Sequence, residues 1–156
     1  MAVTAGTDVY TDVAEADAYF AARNVTGWSD APIVEREAAL LRATAYLDGH
    51  YRWIGSRAAA EQPLGWPRIG AVDADGRAHG GLPVAVKHAC AELAWIALRQ
   101  ELAPSADRGG RVLAERVGSV EIRYADGAPS GRIYPYVDLL LVGLVRDPTT
   151  AAVRRA

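Results

Sequence analysis

The stretch from Pro83 to Leu102, PVAVKHACAELAWIALRQEL, sets Val86, Cys90, Leu93 and Ala97 in one helical row, which Ala89 and Ile96 widen. Pro83 suits the first turn, where a helix leaves its N–H groups unpaired in any case. With so few polar positions, this helix is stable in water only when other elements surround it. The segment therefore predicts a central, buried helix around which the rest of the chain must pack.

Three further helices are available to do so. YTDVAEADAYFAARN offers Asp12 as an N-cap with Glu15 three residues on, and Val13, Ala16, Tyr19 and Phe20 on one side, which predicts a short amphipathic helix over about 12–23. The next helix starts at Ser29 or Asp30 with Pro32 in its first turn, carries Val34, Ala38, Leu41 and Ala45 as its apolar row, and stops at Gly49. YPYVDLLLVGLV predicts a last apolar helix from about Pro135 to Val145. Between the third and fourth helices, RVLAERVGSVEIRYADG alternates with period two on both sides of Gly118-Ser119, so that Val112, Ala114 and Arg116 face Val120, Ile122 and Tyr124 in a hairpin. Residues 55–82, punctuated by Gly and Pro throughout, predict a long ordered loop. The expected fold is mainly α in α+β order: a small bundle of about four helices with a β-hairpin and a long Pro/Gly loop. Residues 1–156 form one domain in this reading, with 146–156 as a polar tail.

Composition restricts the function classes. The 156 residues suffice for one core. The net charge of −2 includes 16 arginines and a single lysine, Lys87. Such an Arg bias reflects either interfaces or a GC-rich genome. A slightly acidic chain lacks the basic footprint of most nucleic-acid binders. Cys90 stands alone, which excludes an internal disulfide and a thiolate zinc site. MAVTAGTDVY has neither a charged region nor an apolar core, and no apolar run reaches bilayer length, so neither a secretory leader nor a membrane partner is expected, and synthesis in the cytoplasm is.

Catalytic chemistry finds no constellation. His50, His79 and His88 lack ligand spacing, and His88 and Cys90 do not share a helix face. DADG at Asp73 to Gly76 opens like a calcium loop, but Arg77 and Val84 occupy acidic positions of that pattern, so a turn is expected. GRAHGGLP follows no strand and matches no phosphate-binding loop. No catalytic, cofactor or metal site is expected, and the chain reads as a non-enzyme. Tyr46, Tyr51, Trp53 and Trp66 are interleaved with Arg42, Arg52, Arg57 and Arg68, a set compatible with core, with a protein interface or with stacked single-stranded bases.

In their order, the segments ALLRATAYLD, WPRIG and VGSVEIRYADGA resemble a family of head-tail connector, or adaptor, proteins of tailed phages, prophages and gene transfer agents. Its members often carry the description DnaT-like single-stranded DNA-binding protein. The resemblance runs from about Val9 to Val145. It implies a structural virion protein, assembled in the host bacterial cytoplasm and located in the neck of the virion. There it forms a ring, dodecameric by family habit, beneath the portal protein. Its partners would be the portal, neighbouring copies of itself and the next neck or tail protein, while genomic double-stranded DNA passes through the lumen without specific binding. A closed ring uses heterologous contacts, which require two different complementary surfaces on each subunit. The expected interface residues are Trp66, Arg68, Arg116, Arg123, Arg146, Arg154 and Arg155. In QPLGWPRIG, Pro63 and Pro67 stiffen the loop, Gly65 and Gly70 permit turns, Trp66 anchors it to the core, and Arg68 is expected to be held outward for a neighbour. The tail, with Arg154 and Arg155, is expected to dock on the portal, and the hairpin or the loop to meet a neighbour. The alternative is a single-stranded DNA-binding accessory protein in which Trp53, Trp66 and nearby arginines stack bases.

Overall fold

The computed structural model describes residues 2–73, 75–104 and 133–146 in full, and the backbone of two strands at 114–117 and 120–123. In chain order the elements are α1 (Val13–Ala21), a 3-10 turn (Thr26–Trp28), α2 (Ile33–His50), β1 (Ser56–Arg57), β2 (Arg68–Ile69), α3 (Val84–Ala97), β3 (Ala114–Val117), β4 (Val120–Arg123) and α4 (Pro135–Leu140). The fold is thus mainly helical, four helices with a two-stranded antiparallel hairpin, as the sequence predicts. The chain divides into two compact units, one built from residues up to Leu102 and from Tyr134 onward, the other from 103–133.

The smaller unit contains the hairpin. Its register pairs Ala114 with Arg123, Glu115 with Ile122, Arg116 with Glu121 and Val117 with Val120. The predicted strands are present, each four residues long, but the register is one residue off the expected facing: Ala114 and Arg116 stand opposite Arg123 and Glu121 instead of Ile122 and Val120.

The larger unit is organised around α3. Val86, Ala89, Cys90, Ala91, Leu93, Ala94 and Ala97 are buried on it, and small residues let its neighbours approach closely. Pro83 is the N-cap rather than the first helical residue, so the helix starts one position later than predicted. α2 packs on α3 through Ala39, Leu40, Ala43, Thr44 and Leu47. That is a correction: the predicted row of Val34, Ala38, Leu41 and Ala45 lies on the outer side, with Val34 66% exposed. Both faces of this alanine-rich helix carry an apolar row, and the one with two leucines, Leu40 and Leu47, is buried. Neither Ser29 nor Asp30 caps it. Pro32 takes the N-cap position without a side-chain bond, and the helix runs through Gly49 to His50.

α1 is capped as expected, since the Asp12 carboxylate accepts from the Glu15 N–H at 2.8 Å. Glu15 does not complete the reciprocal bond; its carboxylate pairs with Lys87 on α3 and accepts from the Thr11 hydroxyl at 3.1 Å. Tyr19 and Phe20 of α1 enter the core beside Trp28. α4 is shorter than predicted. It ends at Leu140, and after Gly143, at φ +81°, Val145 forms an antiparallel bridge with Trp53. Gly143 adopts a left-handed conformation that a helix cannot continue.

The described part of the 55–82 segment is pinned at its waist by β1 and β2, which pair antiparallel with Ser56 opposite Ile69 and Arg57 opposite Arg68. DADG is a turn, in which the Asp73 carboxylate accepts from the Asp75 and Arg77 N–H groups.

Candidate functional site

The C-terminal end of α2, the 55–68 segment and the residues after α4 enclose a cleft of about 760 Å³. Of the aromatic residues singled out in the sequence, Tyr51 and Trp53 line it, and Trp66 packs on Trp53. Trp66 is 1% exposed and Trp53 6%, and their rings meet edge to face with centroids 6.0 Å apart. Tyr51 is buried beside them and donates its hydroxyl proton to Asp138 at 2.6 Å. Three of the four residues of this set, Tyr51, Trp53 and Trp66, are therefore core residues, and Tyr46 is partly exposed. Bases cannot stack on tryptophan faces that the fold already covers.

Asp48 holds Trp53 to the loop. Its carboxylate accepts from the Tyr10 hydroxyl, from Trp53 Nε1 at 3.0 Å and from the Gly65 N–H at 2.9 Å. Gly65 has no room for a side chain, because a Cβ there would collide with Asp48 Oδ1 and lie 2.7 Å from Trp53 Nε1. Burial and the bond to Asp48 both push the Tyr10 hydroxyl far above the ordinary phenol range.

Arg68 is turned inward, which corrects the expectation that it is held outward. Its Nε donates to the Ile54 carbonyl at 2.5 Å, one terminal nitrogen to Gly65 at 2.9 Å and the other to Gly55 at 2.8 Å. A planar guanidinium can bridge three carbonyls in this way, whereas an ammonium cannot. Gly55 must remain small, since it sits at φ +67° with Ile69 O only 2.5 Å from the position a Cβ would take. Partial burial, with the nearby charges of Arg146 and Arg57, lowers the Arg68 pKa.

Arg146 completes the wall. Its N–H donates to the Arg52 carbonyl at 2.6 Å and its side chain reaches Gly55 O at 3.3 Å. The cleft thus gathers Arg52, Arg57, Arg68 and Arg146, and its two carboxylates, Asp48 and Asp138, are already bonded to Trp53 and Tyr51.

Of the sequence-predicted interface residues, the structure brings Arg68 and Arg146 together in the cleft, while Trp66 is buried in the core. Arg116 and Arg123 sit at register positions opposite Glu121 and Ala114 in the hairpin, and their side chains are not among the described ones. Arg154 and Arg155 lie outside the described residues. Arg52, Arg57, Asp48 and Asp138 were not among the predicted interface residues. The interleaving of arginine and aromatic residues was the available signal for the first two, but pairing across the chain, which is not local, selects them. Arg42, from the same run, instead donates to the Ala97 carbonyl at the end of α3.

Among the described residues no group of three His, Cys, Asp or Glu side chains could hold a metal ion, and no helix is long and apolar enough to cross a membrane. No curated protein and no solved structure matches the chain. One family does, over residues 2–156, and the chain belongs to it: the family described as "Putative DnaT-like ssDNA binding protein".

Proposed function

We propose that this protein is a structural subunit of a phage-type neck, a head-tail adaptor that assembles as a ring under a portal protein. The observation that carries the reading is the distribution of apolar surface. The aromatic residues that a base-stacking protein would display are in the core, whereas Tyr136, Leu139 and Val142 stand exposed on and just after α4. A shallow hollow beside them is lined by Val84, Leu140 and Val142. Exposed apolar side chains grouped on one face mark a surface that another protein covers. The resemblance of the ordered sequence segments to neck adaptors supports the same role, which needs no catalytic group.

The family description favours a second reading, binding of single-stranded DNA, and the arginine-lined cleft offers charge for phosphates. The two readings separate experimentally. Mixed with the portal of its own phage or prophage and imaged, the chain is expected to form a ring stacked on the portal. A DNA-binding role instead requires oligonucleotide affinity that falls steeply between about 50 and 200 mM salt. A monomer that ignores the portal and retains oligonucleotide would overturn the neck reading.

A further inference from the structure

Two pairs of arginines face each other across short antiparallel contacts at the cleft. Arg57 is directly opposite Arg68 in the β1–β2 pair. The bridge between Trp53 and Val145, with the Ile54 N–H donating to Leu144 O and the Arg146 N–H to Arg52 O, sets Arg52 opposite Arg146. Like charges placed directly across a pair destabilise it. Among the described residues the cleft holds only two carboxylates, Asp48 and Asp138, which are bonded to Tyr10, Trp53, Gly65 and Tyr51 and offset the four guanidinium charges only in part. Among the described residues the Arg52 and Arg57 guanidinium groups have no hydrogen-bond or ion-pair partner. Ile69, next to Arg68 on β2, is exposed. Among the described residues the cleft therefore gathers four guanidinium groups against two carboxylates and keeps a net positive charge.

The complementary surface lies on the same molecule at the other end of α2. There Asp30, Ile33, Val34 and Glu35 are all exposed, and neither carboxylate has a partner among the described residues. With 18 residues, α2 holds this acidic and apolar corner about 27 Å from the cleft at its C-terminal end. One molecule therefore cannot join its own two surfaces, but two copies can.

We propose that the arginine cleft receives the Asp30–Glu35 corner of a second copy of this chain, giving a head-to-tail contact. Carboxylates of the neighbour bridge the arginine pairs, and Ile33 and Val34 meet Ile69. The contact is heterologous, so it propagates from copy to copy and closes into a ring when the rotation per step allows it. The inference rests on the neck reading for its setting, and the contact itself is measurable on the free protein.

The test is a charge swap. One variant carries Arg52→Glu and Arg57→Glu, the other Asp30→Arg and Glu35→Arg. These side chains have no partner among the described residues, and circular dichroism verifies that each variant is folded. By sedimentation at concentrations up to about 1 mM, the unmodified chain is expected to self-associate, and each variant alone to do so about tenfold more weakly. An equimolar mixture is expected to recover association, because the acidic cleft of one variant then meets the basic corner of the other. A monomeric unmodified chain at all concentrations, or a mixture no better than its components, overturns the contact. Unchanged association with loss of oligonucleotide binding in the Arg52/Arg57 variant also overturns it and assigns the cleft to phosphates. A ring on the portal that survives the Arg52/Arg57 reversal removes this contact and leaves the neck reading standing. Failure of the unmodified chain to form any ring on the portal removes the neck reading itself.

Discussion

Asp48 concentrates more of the loop's stability than any of the residues that drew attention in the sequence. Replacing it with Ala leaves the Tyr10 hydroxyl, the Trp53 indole N–H and the Gly65 N–H without their acceptor. An unsatisfied buried donor costs about 1–3 kcal/mol, so Asp48→Ala is expected to destabilise the fold by about 3 kcal/mol or more in urea denaturation. Arg68→Lys exchanges a fork that reaches three carbonyls for one ammonium, and the same measurement is expected to show a loss of about 1–3 kcal/mol. The two results separate the cleft's scaffold from its charge, because Arg57→Gln, which breaks no bond among the described residues, is expected to lie within about 0.5 kcal/mol of the parent.

Among the elements, α1 and α3 were legible because each presents one apolar face and a local start signal, Asp12 for the first and Pro83 for the second. The face of α2 was not, since Leu40 and Leu41 are neighbours in sequence and equally apolar. Only packing against α3 decides between them, burying Leu40 completely and leaving Leu41 exposed. Truncation therefore has opposite consequences at adjacent positions. Leu40→Ala is expected to cost about 2–5 kcal/mol of unfolding free energy and Leu41→Ala less than about 0.5 kcal/mol. Equal losses would show that α2 is rotated about its axis. α4 was overextended because YPYVDLLLVGLV is apolar throughout, and periodicity carries no sign of the left-handed turn at Gly143. The candidate site was legible only as composition. Arginines beside tryptophans were visible, but the register that sets Arg57 against Arg68 and Arg52 against Arg146 comes from long-range pairing.

Across the larger unit, three tyrosine hydroxyls donate to carboxylates on other elements. Tyr10 before α1 reaches Asp48 of α2, Tyr19 of α1 reaches Glu92 of α3 at 2.7 Å, and Tyr51 after α2 reaches Asp138 of α4 at 2.6 Å. In each case burial first, and then the carboxylate, raises the phenol far above its ordinary pKa. Cys90, wholly buried within α3, is pushed up to about 11 by burial. These groups are neutral in the folded chain and ionise more readily in the unfolded one, so their contribution is complete below the unfolded pKa. It declines as pH rises through and beyond that value, which for tyrosine is about 10. Above it each of the three tyrosines lowers stability further as pH rises, so their effects act in the same direction. Glu15 acts in the opposite direction. Burial pushes its carboxyl up, but bonds from Lys87 and Thr11 outweigh that and leave the pKa lowered. Its contribution is present above the unfolded carboxylate pKa and is lost as pH falls through the folded value, and its exposure to solvent keeps the effect small. The whole molecule should therefore fail more steeply in alkali than in mild acid. In an alkaline titration, tyrosinate absorbance from these three residues is expected to appear together with the loss of the helical circular dichroism signal. Their ionisation near pH 10 with the helices intact would show that the three bonds do not tie the elements together.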